Sequence, residues 1–120
     1  MMISFIPIEQ GNIIGLEIDG KIETSDIEQI IGLVEERLKS YKPLRFYVQV
    51  KSLKGISVEA FWEDLKFGLQ HLKYFERKAV VCEVSWLMKM AAASSKLFPS
   101  IETKCFSWSE QEQAMEWIKN

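Results

Sequence analysis

Hydrophobic and polar residues alternate along the first part of the chain in the two-residue period of half-buried β-strands. Two such strands are predicted within MISFIPIEQGNIIGLEIDG, joined at residues 10–12, where Gly and Asn favour a turn. In the second strand Ile14, Leu16 and Ile18 form one face. A third strand follows over 44–51, and its alternation places Tyr47 on a polar, solvated face.

Between the second and third strands the apolar positions recur at helical spacing. Ser25 and Glu28 match a capping box, which predicts that a helix begins at Ser25 and ends before Pro43. Its apolar side would be formed by Ile27, Ile30, Ile31, Val34 and Leu38. The opposite side is charged, so we expect a surface helix with one buried face.

A second helix is predicted after the third strand, opened by Gly55 and by Ser57 as its N-cap. Beside its main apolar stripe, Phe67 and the single histidine, His71, fall on a different side. These two residues form either a solvated edge with one stray aromatic ring or a surface for a partner or ligand.

The run over residues 79–84 is apolar at nearly every position, which is typical of a central strand covered on both faces. A helix with very few polar residues follows over 86–98. Trp86 lies at the carboxyl end of that strand, where open α/β sheets tend to hold ligands, although plain core packing also explains it. Lys89 and the flexible Met90 extend the same candidate surface.

A fifth strand over 101–106 and a last helix complete the pattern. Ser109 and Glu112 match a second capping box, and Ala114, Trp117 and Ile118 would form the inner face of that helix. The order β-β-α-β-α-β-α-β-α predicts one α/β domain over residues 1–120. Its sheet would have five mostly parallel strands, an antiparallel edge strand, and helices packed mainly on one face. The second face of strand 79–84 then needs a cover, either the last helix or the second subunit of a homodimer.

Composition narrows the class of protein without naming a function. With 120 residues, 48% hydrophobic and 27% charged, the chain is expected to fold as a globular domain. The formal charge is -2, and although residues 41–78 carry eight basic against four acidic side chains, these are spread over several elements. We therefore expect no nucleic-acid binding.

Other ligand classes have little support in the sequence. A single histidine and no cysteine or carboxylate cluster predict no metal and no cofactor. No apolar run reaches the roughly 18 residues that span a bilayer, and no signal-peptide pattern begins the chain, so we expect a cytoplasmic protein. Cys82 and Cys105 lie in apolar strand contexts and are interpreted as reduced packing residues, with a disulfide or redox pair between them as the alternative.

Several segments together resemble a known family. The stretch LEIDGKIETSDIEQI resembles the STAS domain, named for sulfate transporters and anti-sigma-factor antagonists. FWEDLKFGLQHL, FERKAVVCEVSWL and the final AMEWI more specifically resemble its SpoIIAA-like branch of small bacterial proteins. The resemblance implies a cytoplasmic, non-enzymatic binding or regulatory module, whose partner is another protein or a small apolar ligand such as a lipid.

In the antagonists of this family a serine in an acidic-Ser-Ser-Gly motif is phosphorylated. The corresponding stretch here is VKSLKGISVEAF, which lacks that motif and keeps only Ser57 near the matching place. Ser57 is therefore either a helix N-cap or the site of a phospho-switch.

No catalytic residue is predicted. His71 is the only candidate base, and Asp64 lies seven residues away, about two helical turns, too far for a direct hydrogen bond. Motifs of nucleophile elbows, phosphate loops and dinucleotide sites are absent from the sequence. The predicted surface for a partner or ligand thus consists of Phe67, His71, Trp86, Lys89 and Met90.

Overall fold

The computed structural model describes residues 3–56, 74–82 and 102–120, with the side chains of residues 52–56 and 103 excepted. Five strands and two α-helices lie in these ranges. In chain order they are β1 (Ile3–Ile6), β2 (Ile13–Ile22), α1 (Thr24–Leu38), β3 (Leu44–Ile56), β4 (Phe75–Val81), β5 (Glu102–Phe106) and α2 (Gln111–Lys119), with a 3-10 turn at Trp108–Glu110 before α2.

The five strands form one sheet in the order β1-β2-β3-β4-β5. β1 is antiparallel to β2, and every later pair is parallel. The predicted α/β class, with an antiparallel edge strand on a parallel sheet, is confirmed. Since each described strand lies beside its neighbour in sequence, β4 is an interior strand between β3 and β5, as its apolar run predicted.

Two glycines in β2 are required by the backbone around them. Gly15 pairs with Ile6 across the hairpin, and a Cβ atom there would come within 2.6 Å of the Ile6 carbonyl oxygen. Gly20 has a φ of 106°, and the pairing of β2 with β3 shifts register on both sides of it. Only glycine adopts that conformation without strain, so the irregular end of β2 is encoded locally.

α1 begins earlier than its sequence pattern predicted. Glu23, not Ser25, is the N-cap, and it forms a reciprocal capping box with Asp26. The Glu23 main-chain N–H donates to the Asp26 carboxylate at 2.8 Å, and Asp26 is buried. The predicted box at Ser25 and Glu28 is wrong because β2 continues to Ile22, so the chain must turn immediately after it.

The capping box before α2 also lies earlier in the chain than predicted. Ser107 and Glu110 form the capping box, and a 3-10 turn precedes the helix, so the predicted pair Ser109 and Glu112 is wrong. The hydroxyl of Ser109 instead lies 2.9 Å from that of Ser107. The chain turns directly after β5 ends at Phe106, which leaves Ser107 as the first residue able to cap.

The two described helices cover opposite faces of the sheet. Ile27 and Val34 of α1 pack on one face, on a cluster that includes Ile14, Leu16 and Val80. Ala114 and Ile118 of α2 pack on the other, on a cluster formed by Ile13, Tyr47, Ala79, Val81 and Phe106. α2 therefore supplies the second cover that the apolar run in β4 required.

Tyr47 corrects the prediction that β3 has one solvated face. Its side chain is only 1% exposed, because α2 lies over that face. Its hydroxyl accepts a hydrogen bond from the Gln49 amide at 2.7 Å, so the buried oxygen has a polar partner. A tyrosine among charged neighbours looked solvated only because its cover comes from a distant part of the chain.

Other predicted boundaries also move. β4 spans Phe75–Val81, so it starts before the predicted strand 79–84 and takes in three charged residues, and Cys82 follows it. β3 continues to Ile56, where Gly55 pairs with Lys21, so Gly55 does not open a helix. Two of the charged residues of β4 have polar partners there: Glu76 pairs with Arg45 of β3, and Arg77 contacts Glu102 of β5 and the Trp117 carbonyl oxygen of α2. The predicted helices over 57–72 and 86–98 lie outside the described residues.

Candidate functional site

A cavity of about 260 Å³ lies on the α1 side of the sheet. β1 to β4 form its floor, and the first half of α1 forms a wall. Strand alternation explains the floor, since side chains two residues apart point to the same face. The described residues that line it are Ile3, Leu16, Ile18, Ile22, Ile27, Ile30, Phe46, Val48, Lys78 and Val80.

The described part of the cavity lining is almost entirely hydrocarbon. Nine of the ten described lining residues are aliphatic or aromatic. Phe46 is half-buried, and its ring stacks on that of Phe75 with centroids 5.0 Å apart. The stacked pair fixes one end of the floor. These lining residues offer water few polar partners.

Lys78 is the charged residue among the described lining side chains. It is half-buried in β4, in one row with Phe46 of β3 and Thr103 of β5. Its positive charge lowers the pKa of the nearby Cys105 thiol, although burial has the larger, opposite effect and raises that pKa overall. Among the described lining residues, one cation thus accompanies an otherwise apolar surface.

The two cysteines are free thiols next to this site. Cys82 is buried, and burial raises the pKa of its thiol, as it does for Cys105. A raised pKa keeps both sulfurs protonated near neutral pH, which makes them poor nucleophiles. Their sequence interpretation as packing residues agrees with these surroundings.

The opposite face of the sheet is occupied by contacts that hold α2. Arg45 donates to the Glu76 carboxylate and, at 2.7 Å, to the carbonyl oxygen of Ile118. Arg77 donates to the carbonyl oxygen of Trp117 at 3.3 Å, and its guanidinium lies 5.1 Å from the centre of the Trp117 ring. These side chains stabilise the last turn of α2, so this face is structural.

A second depression lies at the carboxyl end of α1, lined by Glu35, Leu38, Lys39, Lys42 and Tyr74. The Lys42 ammonium lies 5.0 Å from the centre of the Tyr74 ring. This depression is about 390 Å³, larger than the cavity under α1, but it is shallow and has charged groups of both signs. Since three of its five described lining residues are charged, the cavity under α1 is the better candidate site.

The site residues predicted from sequence were Phe67, His71, Trp86, Lys89, Met90 and Ser57. All six lie outside the described residues, so the surface they were predicted to form and the phospho-switch through Ser57 stay predictions. The cavity was not foreseen. The alternation in β2 and β3 predicts which side chains face α1. It does not predict whether those side chains and the helix fill the space between them.

Two further observations limit the chemistry of the described part. No group of three potential metal-binding side chains occurs in residues 3–56, 74–82 and 102–120. Across the same residues, neither helix has the length and apolar character needed to cross a membrane.

Comparison with known proteins agrees with this architecture. The profile of the SpoIIAA-like family matches residues 13–119. A solved structure from Shewanella loihica PV-4, an uncharacterised protein of the DUF3478 family with a SpoIIAA-like fold, superposes with a TM-score of 0.79 at 26% sequence identity. That match covers 97% of this chain and 91% of the other. A search of curated proteins found no match. The chain thus belongs to the SpoIIAA-like family.

Proposed function

We propose that this protein is a non-enzymatic binding module that holds a small apolar molecule in the cavity between α1 and the sheet. The observation that carries the proposal is the lining itself, in which nine of ten described residues are apolar. The SpoIIAA-like fold is consistent with a binding or regulatory domain.

The chemistry of the cavity supports binding over catalysis. General acid–base catalysis most often uses a histidine or a carboxylate within hydrogen-bond reach of the proton that it transfers. The described lining contributes one ammonium group and otherwise hydrocarbon. The neighbouring thiols have raised pKa values, which weakens them as nucleophiles.

The size of the cavity sets the size of the ligand. An engineered apolar cavity of about 150 Å³ binds benzene, and small-molecule sites usually begin near 300 Å³. At about 260 Å³, this cavity suits a medium-length acyl chain or a small ring system. We therefore expect a ligand smaller than a two-chain lipid.

A neutral fluorescent probe tests the proposal. N-phenyl-1-naphthylamine should bind the purified protein with increased emission, and native mass spectrometry of freshly purified protein should detect a co-purifying small molecule. Ile30→Trp places a larger side chain at the cavity wall and should weaken probe binding at least tenfold. Ile31→Trp is the matched control, because Ile31 is the half-buried neighbour on α1 that does not line the cavity.

Equal binding by both variants would place the probe elsewhere and contradict the proposal. If neither the probe nor a co-purifying molecule is found, the apolar-ligand function is wrong, and a protein partner becomes the better interpretation of this binding module.

A further inference from the structure

We propose that the molecule bound in the cavity contains a planar aromatic ring system, which packs against the ring of Phe46. This inference rests on the proposed function and specifies the chemical class of its ligand. It selects the ring system over the acyl chain, the two bodies that the cavity volume admits.

The place of Phe46 on the floor of the cavity carries the first step. Val48, two residues further along β3, also lines the cavity, and both side chains pack on the α1 face of the sheet. Beyond its Cβ atom, a phenylalanine side chain consists of ring atoms alone. Phe46 therefore contributes aromatic surface to the lining, through a ring face or a ring edge. The other apolar residues of the described lining are aliphatic.

Phe75 holds the Phe46 ring in place, which carries the second step. The two rings are stacked, with centroids 5.0 Å apart and planes inclined by 26°. Phe75 is only 6% exposed and belongs to the core cluster against which Phe46 packs. Phe46 is half-buried, so part of its surface stays accessible beside this fixed neighbour. A side chain that is ordered before the ligand arrives loses little rotamer freedom on binding, which favours affinity.

The energetics of ring contacts favour one ligand class. Two aromatic rings in offset-stacked or edge-to-face geometry gain more than area burial gives, equivalent to about a two- to twelvefold change in affinity. Either orientation of the Phe46 ring allows one of these contacts. An acyl chain or a saturated ring gains from area burial alone. The aliphatic lining residues accept both classes, so Phe46 is the described lining residue that distinguishes them.

Ligands with one carbon skeleton and different saturation test the inference. Isothermal titration calorimetry at pH 7 compares 2-naphthol with decahydro-2-naphthol, both neutral alcohols. The saturated alcohol is the more hydrophobic of the two, so apolar burial alone would favour it. We expect 2-naphthol to bind about two- to twelvefold more tightly. Equal binding, or tighter binding of the saturated alcohol, would overturn the aromatic assignment.

Substitutions identify the ring responsible. Phe46→Leu keeps the lining apolar and should abolish the preference for 2-naphthol while the saturated alcohol still binds. Phe46→Tyr should keep the preference. Phe106→Leu is the matched control, because Phe106 is a buried ring in the core on the opposite face and does not line the cavity. It should show the wild-type ratio of the two affinities.

A measurement on the wild-type protein removes the dependence on how well the variants fold. Nuclear Overhauser effects between the protons of bound 2-naphthol and the ring protons of Phe46 should be observed by NMR spectroscopy. Their absence in a saturated complex would overturn the assignment, because the two rings would then not be in contact.

The two proposals fail in different ways. If the saturated alcohol binds at least as tightly as 2-naphthol and Ile30→Trp weakens both, the aromatic class is wrong and the apolar cavity stands. If neither alcohol nor N-phenyl-1-naphthylamine binds, both proposals are wrong. A preference for 2-naphthol that persists in Phe46→Leu also overturns the assignment, because another ring would then form the contact.

Discussion

Arg45 connects β3 to both the neighbouring strand and the end of α2. Its side chain is 15% exposed, and it donates to the Glu76 carboxylate and to the carbonyl oxygen of Ile118. Carbonyl groups in the last turn of a helix lack partners within the helix, so a cation there satisfies one of them and interacts favourably with the helix dipole. Arg45 thus contributes, with Arg77, to the contact between the end of α2 and the sheet.

We expect Arg45→Met to lower the free energy of unfolding by about 1.5–3 kcal/mol, the usual range for hydrogen bonds that involve a charged group. Arg45→Lys should recover only part of this loss, since one ammonium lacks the planar fork that contacts both acceptors. Urea denaturation measures both effects.

Arg77→Met is the comparison. Arg77 is 30% exposed, and its contacts are longer, 3.3 Å to the Trp117 carbonyl and 3.4 Å to the Glu102 carboxylate. Arg77→Met should lower the free energy of unfolding by less than Arg45→Met does. A larger loss for Arg77, or full recovery by Arg45→Lys, would contradict the role assigned to the Arg45 fork.

At the scale of elements, the turn that begins α2 depends on a carboxylate. Glu110 accepts hydrogen bonds from the main-chain N–H and the hydroxyl of Ser107, both at 3.0 Å. These bonds lower the pKa of Glu110 from its ordinary value of 4.5, with a smaller contribution from Lys104. The charged carboxylate is therefore part of the folded turn.

This pKa shift predicts a pH dependence of stability. A carboxylate with a lowered pKa in the folded state contributes stability above its unfolded value, and that contribution is lost as the pH falls through the folded value. The wild-type protein should thus be more stable than Glu110→Gln at pH 7, and the difference should shrink below about pH 4.5. Urea denaturation from pH 7 to pH 3 measures it.

Glu116→Gln, at an exposed position of α2, serves as the control for this series. It should run parallel to the wild-type protein over the whole pH range. A constant difference between wild type and Glu110→Gln at all pH values would show that the charge of Glu110 has no part in the turn.

At the scale of the whole molecule, one sheet separates two hydrophobic cores. Ile27 of α1 belongs to one core and Ile118 of α2 to the other, and both side chains are buried. No residue belongs to both clusters among those described. The two helices should therefore contribute to stability independently.

Matched substitutions test this independence. Ile27→Val and Ile118→Val should each lower the free energy of unfolding by about 0.5–1.5 kcal/mol. Their effects should add to within roughly 0.5 kcal/mol in the double variant, because the sites are distant and share no partners. Chemical denaturation of the four proteins gives the coupling energy, and coupling above about 1 kcal/mol would show that the sheet transmits changes from one core to the other.

Homodimer formation, which concerns the whole molecule, stays a prediction. One reason for it was the second face of the apolar strand, and α2 now covers that face in the described structure. Light scattering at low micromolar concentration distinguishes monomer from dimer.

The sequence by itself determined the order of the described strands, the antiparallel edge hairpin, and the buried side of α1. These features follow from local periodicity, since a residue's burial on one face repeats every two positions in a strand and about every 3.6 in a helix. The inner face of α2 was predicted for the same reason, and Ala114 and Ile118 are fully buried. The family resemblance is confirmed over residues 13–119.

Only the tertiary structure decided which face each helix covers and where the chain leaves a gap. Tyr47 is buried because α2, more than 60 residues later, packs over β3, and no local pattern contains that information. The cavity likewise exists because α1 and four strands meet without filling the space between them. Lys78 shows the same limit. In the sequence it precedes an apolar run and resembles an ordinary strand boundary, and only the fold places it among the residues that line the cavity.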